Sequence, residues 1–171
     1  MFTVKCQTDI KNNIVADMVP IGGTLDITCG QLIDRIGVAA GLLFPSGREM
    51  ESIYTKNGAK LSVCVDALNA NLSGAETQAL RLLQNGRSAP YVCSGVIDCV
   101  AAALSKLVQN AAEKTGSGKF IFTGGVICNK IIRKKIEDTC AKNNYDCFMT
   151  KKEYCSDNAC GLALAAQIMN G

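Results

Sequence analysis

Histidine is absent from all 171 residues. Without imidazole, neither a Ser-His-Asp nor a Cys-His nucleophile system can be assembled from this chain alone. Close cysteine pairs are also missing. The ten cysteines, at 6, 29, 64, 93, 99, 128, 140, 147, 155 and 160, contain no C-x-x-C spacing. Zinc sites normally use such pairs or Cys/His sets, so a metal cluster of that kind is not expected. A disulfide framework belongs to small secreted chains with weak cores, whereas this chain is 48% hydrophobic. Its thiols therefore read as buried, reduced and acting as small hydrophobes. No uninterrupted apolar run approaches the roughly eighteen residues needed to cross a bilayer, and no charged-then-apolar leader opens the chain. A soluble, cytoplasmic protein without membrane contact is expected. Excess charge is scarce too: +3 net does not by itself imply a nucleic-acid partner.

What is present is a core-forming chain of one ordinary domain, or one lobe of a larger protein, with no repeats and no linker. Phe2 to Cys6 and Ile14 to Met18 alternate around the polar "QTDIKNN" and read as an antiparallel hairpin. Thr28-Cys-Gly-Gln31 has the form of a capping box, followed by the apolar stripe Leu32, Ile33, Ile36, Ala39 and Ala40. That helix must stop within "GLLFPSG", residues 41 to 47. Residues 48 to 57 suggest a short helix, and Lys60 to Val65 a strand. Ser73-Gly-Ala-Glu76 reads as a second capping box, opening a helix to about Gln84. Val92 to Lys114 is a long helix with Val96, Val100, Ala103, Leu104 and Leu107 on one face, ended by "TGSG". Then come strand Phe120 to Phe122, basic helix Lys130 to Ala141, strand Asp146 to Met149, and a last apolar helix capped at Ser156 to Asn158 and running through Met169. Strand–helix–strand–helix order implies an α/β sheet whose ligand edge lies at the strand-to-helix turns.

Four short motifs carry potential chemistry. In "FIFTGGVICN", Gly124 and Gly125 remove side chains where a strand feeds a helix, so a ligand can approach the backbone. The following helix would point free amides and its positive end there, favouring phosphate; a tight turn with Asn129 as an ordinary N-cap explains the same residues. The spacing is neither that of the P-loop nor of the dinucleotide fingerprint. Asp34 lies one turn inside the first helix, and a solvated acid is its simplest reading. "FPSG", ending at Gly47, is a turn. "CSDN", residues 155 to 158, suits a helix cap, although Asp157 there could also hold a metal ion or a sugar hydroxyl. Lys130, Arg133, Lys134, Lys135, Lys151 and Lys152 could touch RNA phosphates, but Glu137 and Asp138 dilute the charge, which favours a solvated face.

Taken in order, "GGTLDITCGQLIDRIGVAAGLLFPSG", "NLSGAETQALRLL", "FTGGVICNKIIRKKIE" and "YCSDNACGLALAA" resemble the C-terminal half of the Kae1/TsaD/Gcp family, formerly called O-sialoglycoprotein endopeptidases. The resemblance implies a ribonuclease-H-like lobe of the actin/sugar-kinase/heat-shock-chaperone ATPase (ASKHA) fold, α/β with a mixed sheet and helices on its faces. It also implies transfer of a threonylcarbamoyl group onto the tRNA adenosine next to the anticodon. By that resemblance Asp34 matches the acid that holds the nucleoside ribose. Gly47 matches the second glycine of the family's Pro-Gly-Gly turn, with Ser46 in place of the first. Asn129, after Gly124 and Gly125, matches the nucleotide-contacting asparagine, and Asp157 the C-terminal carboxylate ligand of a divalent metal or iron ion. An adenine nucleotide would be the other bound group.

The family's H-x-x-x-H pair and Ser-Gly-Gly loop are not in this sequence, and Gln31 stands where a glutamate is usual, while Asp26 is kept. Residues 1–171 are thus expected to be a single C-terminal lobe. The N-terminal lobe with its histidines would lie outside the chain as a partner, and the isolated fragment would be inactive. Other partners the resemblance brings are tRNA, paralogous subunits and, because a separated lobe exposes apolar surface, a second copy of the chain. Two further readings stand beside the transferase lobe. One is a non-catalytic paralogue acting as scaffold or dimer partner. The other is the metallopeptidase or hydrolase of the older family name, which no nucleophile–base pair here supports.

Overall fold

The computed structural model describes residues 1–8 and 14–155, with the side chains of Met1 and 18–155. The chain opens with β1 (Phe2–Thr8) and β2 (Ile14–Pro20), paired antiparallel from Phe2↔Pro20 to Thr8↔Ile14. The expected hairpin is there, each strand two residues longer than the alternation suggested. β3 (Gly23–Thr24) then pairs parallel with β5 (Asn69–Asn71), which pairs antiparallel with β4 (Cys64–Asp66). Of the strand expected over Lys60 to Val65 only Cys64 and Val65 are in one, since Lys60 to Val63 have no strand partner among the described residues. β6 (Lys119–Phe122) and β7 (Asp146–Met149) pair parallel.

Helix α1 (Cys29–Ala39) starts at Thr28 with the capping box intact: Gln31 N–H donates to Thr28 Oγ1 and Thr28 N–H to Gln31 Oε1. Leu32, Ile33 and Ile36 are buried as the stripe implied. Ala39 is exposed instead, and Gly37 takes the buried position. A Cβ on Gly37 would strike Ser46, so the glycine lets the chain after α1 fold back onto the helix. α2 (Gly47–Ser52) is shorter than expected.

Helix α3 (Ser73–Gln84) starts without the second capping box: Leu72 is the N-cap and no side chain of its own segment caps it. Asp26 replaces that device from 46 residues away. Its carboxylate accepts from Leu72 N–H at 2.9 and 3.0 Å and from Ser73 N–H at 2.9 Å. This leaves Glu76 to pair with Arg35 of α1 at 3.2 Å.

Helix α4 (Ala89–Thr115) carries the core, with Val92, Val96, Ile97 and Val100 fully buried, and ends at Gly116 in the left-handed conformation. By length and composition α4 could cross a bilayer, with mean hydropathy 1.6 over its most apolar window, yet 67% of that window is buried inside the fold. Asp98 and Lys106 interrupt its apolar run, and its burial is that of a central core helix. Helix α5 (Lys130–Lys142) packs on α4 through Ile132, Ile136 and Cys140. The helix expected from Ser156 to Met169 lies outside the described residues.

Candidate functional site

Three elements converge where β6 gives way to α5. The first is the turn itself. Gly124 sits at φ 104°, a conformation side chains rarely adopt, and Gly125–Cys128 form a 3₁₀ turn leading to Asn129. Gly125 has nothing within 4 Å of where a Cβ would stand. The second is α1, whose N-terminal end meets the turn: a Cβ on Gly30 would lie 3.9 Å from Val126. The third is α2, tied to α5 by Glu51, whose Oε2 accepts from Lys130 N–H at 3.0 Å.

Asp34 faces the residues 43 to 47 turn. Its Oδ1 accepts from Ser46 N–H at 2.8 Å, and no described residue donates to Oδ2. Ser46 is fully buried; its hydroxyl donates to Leu43 O at 3.0 Å. Asp34 is therefore more than a solvated helix acid: one oxygen holds the turn in place and the other is left unclaimed. Gly47 opens α2 immediately afterwards, where a Cβ would make only an ordinary contact with Ile33 at 3.9 Å. The fold requires a glycine at 124 but not at 47 or 125.

Asn129 is both a cap and an open donor. Its Oδ1 accepts from Ile131 and Ile132 N–H at 3.0 and 3.1 Å. The residue is only 6% exposed, and its Nδ2 has no hydrogen-bond partner among the described residues. A buried donor left unpaired costs about 1–3 kcal/mol, so the arrangement suits an incoming acceptor.

These contacts correct one expectation. Free amides at the start of α5 were to favour phosphate, but none is free: Glu51 takes the Lys130 amide, Asn129 takes the next two, and Arg133 N–H bonds within the helix to Asn129 O. The protein's own carboxylate already sits at the positive helix end. What remains without a partner among the described residues is one buried amide donor and carboxylate oxygens, a set that suits hydroxyls and ring nitrogens better than phosphate. Glu51 was not singled out from the sequence. The signal was its place four residues after Gly47 on a short helix, which brings both to one face.

Three of the five basic residues of α5 are engaged locally. Lys134 pairs with Asp138 at 2.8 Å, Lys135 with Asp98 at 2.6 Å, and Arg133 with Glu137 at 3.5 Å while donating to Thr150 O at 2.9 Å. Tyr54 also donates to Asp98, at 2.9 Å.

The thiols are free among the described residues, but they are not uniformly buried: Cys64 is exposed and Cys29, Cys128 and Cys147 are half-buried. Burial pushes Cys29, Cys93 and Cys99 up to about 11 and Cys140 up to about 12, which keeps them protonated. Asp157 lies outside the described residues. Among the described residues no three His, Cys, Asp or Glu side chains come together as a metal site.

Two solved structures share this architecture. Full-length HypF in its phosphate- and nucleotide-bound form aligns with TM-score 0.68 at 17% identity, over 84% of this chain and 25% of that one. HypF of T. kodakarensis aligns with TM-score 0.61 at 20% identity, over 74% and 17%. At such identities the likeness speaks for the fold alone: an α/β lobe of the ASKHA type, with helices packed on small sheets, one of them mixed. The particular family follows from sequence. The family model described as TsaD, tRNA N6-adenosine threonylcarbamoyltransferase, matches residues 11–164, and the chain belongs to that family. Similar proteins include "probable bifunctional tRNA threonylcarbamoyladenosine biosynthesis proteins" of Thermoplasma acidophilum (29% identical over 87% of this chain), Thermoplasma volcanium (30% over 87%) and Methanocaldococcus jannaschii (28% over 87%). The chain spans only 28 to 29% of the length of these relatives.

Proposed function

We propose that the chain is the nucleoside-binding lobe of a threonylcarbamoyl transferase that modifies tRNA adenosine, acting in the cytoplasm together with a lobe outside this sequence. The observation that carries this reading is the buried Nδ2 of Asn129, unpaired among the described residues, on the turn that Glu51 ties to α2 through the Lys130 amide. Asn129 Nδ2 would donate to an acceptor on the ligand, and the free oxygen of Asp34 would accept from a ribose hydroxyl in a charge-assisted bond. Gly47 and Gly125 would let the ligand lie close to the backbone, since nothing in the fold demands glycine at either.

The arrangement binds and orients; it supplies no nucleophile. Asp157 would hold the divalent metal or iron ion expected from the family, and that ion would polarise a carbonyl or phosphoryl oxygen. The described residues add no further ligand set, so no step is assigned to it. The same division of labour predicts that this chain alone does not transfer threonylcarbamoyl groups, and that its remaining partners are the other lobe, tRNA and paralogous subunits. An exposed apolar surface including Val38, Leu43 and Phe44, the last two each 74% exposed, borders the 43 to 47 turn and favours closure by another lobe or by a second copy of the chain.

Calorimetric titration of the chain with adenosine tests the reading. Binding that weakens in Asp34→Ala and in Asn129→Ser supports it. Absence of binding, or binding untouched by both changes, sinks it.

A further inference from the structure

Away from the glycine turn, α4 forms the floor of a groove. Two clefts of about 440 and 340 Å³ share Asp98 and Ala102 and together run along the helix. Asp98, Ala102 and Ser105 stand at i, i+4 and i+7, which puts them on one helical face. One wall is the segment from Lys56 to Val63, and the other is α5 from Lys135 to Lys142. The first wall sits tight against the floor: a Cβ on Gly58 would strike the Gly95 backbone, and one on Gly95 would strike Ala59 O. Ala59 N–H also donates to Tyr91 O at 2.9 Å. The groove is therefore formed before any partner arrives.

The polar groups along the floor already have partners. Asp98 Oδ1 accepts from Lys135 Nζ at 2.6 Å and from the Tyr54 hydroxyl at 2.9 Å. The Thr139 and Ser105 hydroxyls lie 2.9 Å apart, and Asp138 pairs with Lys134 at 2.8 Å. What is left for a partner is small and apolar: Ala102 is exposed, and Val63, 36% exposed, lines the first cleft. The rim is cationic on both sides. Lys56 and Lys60 on one wall and Lys142 on the other are exposed, and none of them enters an ion pair among the described residues.

We propose that this groove docks a helix of a protein partner, one with small residues along its buried stripe and Asp or Glu on both flanks. A helix brings its own satisfied backbone. No lining residue belongs to a strand, so an added β-strand would find no ladder to join. RNA fits less well: no aromatic side chain lines the groove for a base to stack on, and the Asp98 and Asp138 carboxylates stand in the path of a phosphate backbone. The small side chain of Ala102 admits a close helix axis. Acidic flanks would meet Lys56 and Lys60 on one side and Lys142 on the other, a complementarity that fixes orientation more than it adds affinity. The inference goes beyond the nucleoside reading and does not rest on it. Asn129 stands at the start of α5, and Lys135 and Lys142 lie about two and four turns further along.

Fluorescence anisotropy tests this with the full chain and a labelled peptide of about 18 residues, alanine on one face and glutamate on both flanks, long enough to be helical. The peptide should bind, and added salt should weaken it. Lys60→Glu and Lys142→Glu reverse exposed, unpaired charges on opposite walls, and each should weaken binding by about two- to fivefold. Ala102→Trp fills the groove from an exposed position and should abolish binding. No binding, equal binding of the same peptide with glutamine for glutamate, or binding untouched by all three changes overturns the proposal. An RNA stem-loop that binds more tightly than the peptide and is weakened by the same lysine changes would make this a nucleic-acid surface. Self-association that those changes abolish would give the groove to a second copy of the chain; either result overturns the proposal. Adenosine titration keeps the two readings apart. If adenosine fails to bind while the peptide binds, the nucleoside reading falls and the groove stands; the reverse outcome sinks the groove alone.

Discussion

Asn129 has two jobs that a single substitution can separate. Its Oδ1 caps α5 through two amides, and its Nδ2 is a buried donor with no partner among the described residues. Asn129→Ala removes both functions. Loss of an N-cap costs about 0.5–2 kcal/mol, usually near 1. Asn129→Ser keeps an oxygen at the cap, where serine ranks with asparagine, and deletes only the donor. In the unliganded chain the unpaired donor costs about 1–3 kcal/mol, so its removal offsets the small cavity that serine leaves. Unfolding by urea should therefore place Asn129→Ser within about 0.5 kcal/mol of the parent or above it. Asn129→Ala should fall about 1 kcal/mol below the parent. Adenosine titration should read the other job. Both variants lose one neutral hydrogen bond to the ligand, about 0.5–1.5 kcal/mol, which is a weakening of roughly two- to tenfold. A serine variant as unstable as the alanine variant, yet binding adenosine like the parent, would refute the reasoning: Nδ2 would then have no ligand to meet.

Other substitutions divide the site in the same way. Gly124→Ala should destabilise by about 1–3 kcal/mol, because φ 104° is strained for any side chain. Gly47→Ala and Gly125→Ala should leave the urea midpoint nearly unchanged while weakening adenosine binding, and a large drop in stability in either would show that the fold needs those glycines. Glu51→Ala frees the Lys130 amide at the positive end of α5 and removes a negative charge, so AMP should gain on adenosine by about two- to fivefold in titration; an unchanged ratio would mean that the ligand does not reach that amide. Asp26 gives a pH signature. Burial opposes its ionisation, but the Leu72, Ser73 and Ile27 groups that donate to it outweigh that and hold its carboxyl well below the usual carboxylate range. A depressed pKa contributes stability above the unfolded value, near about 3.9, that is lost as pH falls further through the folded value. Asp26→Asn should lower stability at neutral pH and flatten that acid limb in urea melts, and a limb of unaltered slope would assign acid loss to other groups.

Sequence by itself determined the elements whose cause is local. The Thr28–Gln31 capping box, the Leu32, Ile33 and Ile36 stripe, the break at Gly116 and the cap at Asn129 all form where short-range hydrogen bonding and helical periodicity put them. The order of short motifs was also enough to place the chain in its family, because motif order survives at identities near 29%. Tertiary structure decided what depends on partners far along the chain. Ser73-Gly-Ala-Glu76 has the local form of a capping box, yet Asp26 reaches the amides first from 46 residues away. Likewise, at the start of α5 the local cap Asn129 takes two amides, and Glu51 takes the one left over from 79 residues away. Both outcomes follow from one physical fact. A helix start offers a fixed number of unpaired amides, and sequence shows that they exist, whereas only the packed fold brings up the acid that takes them.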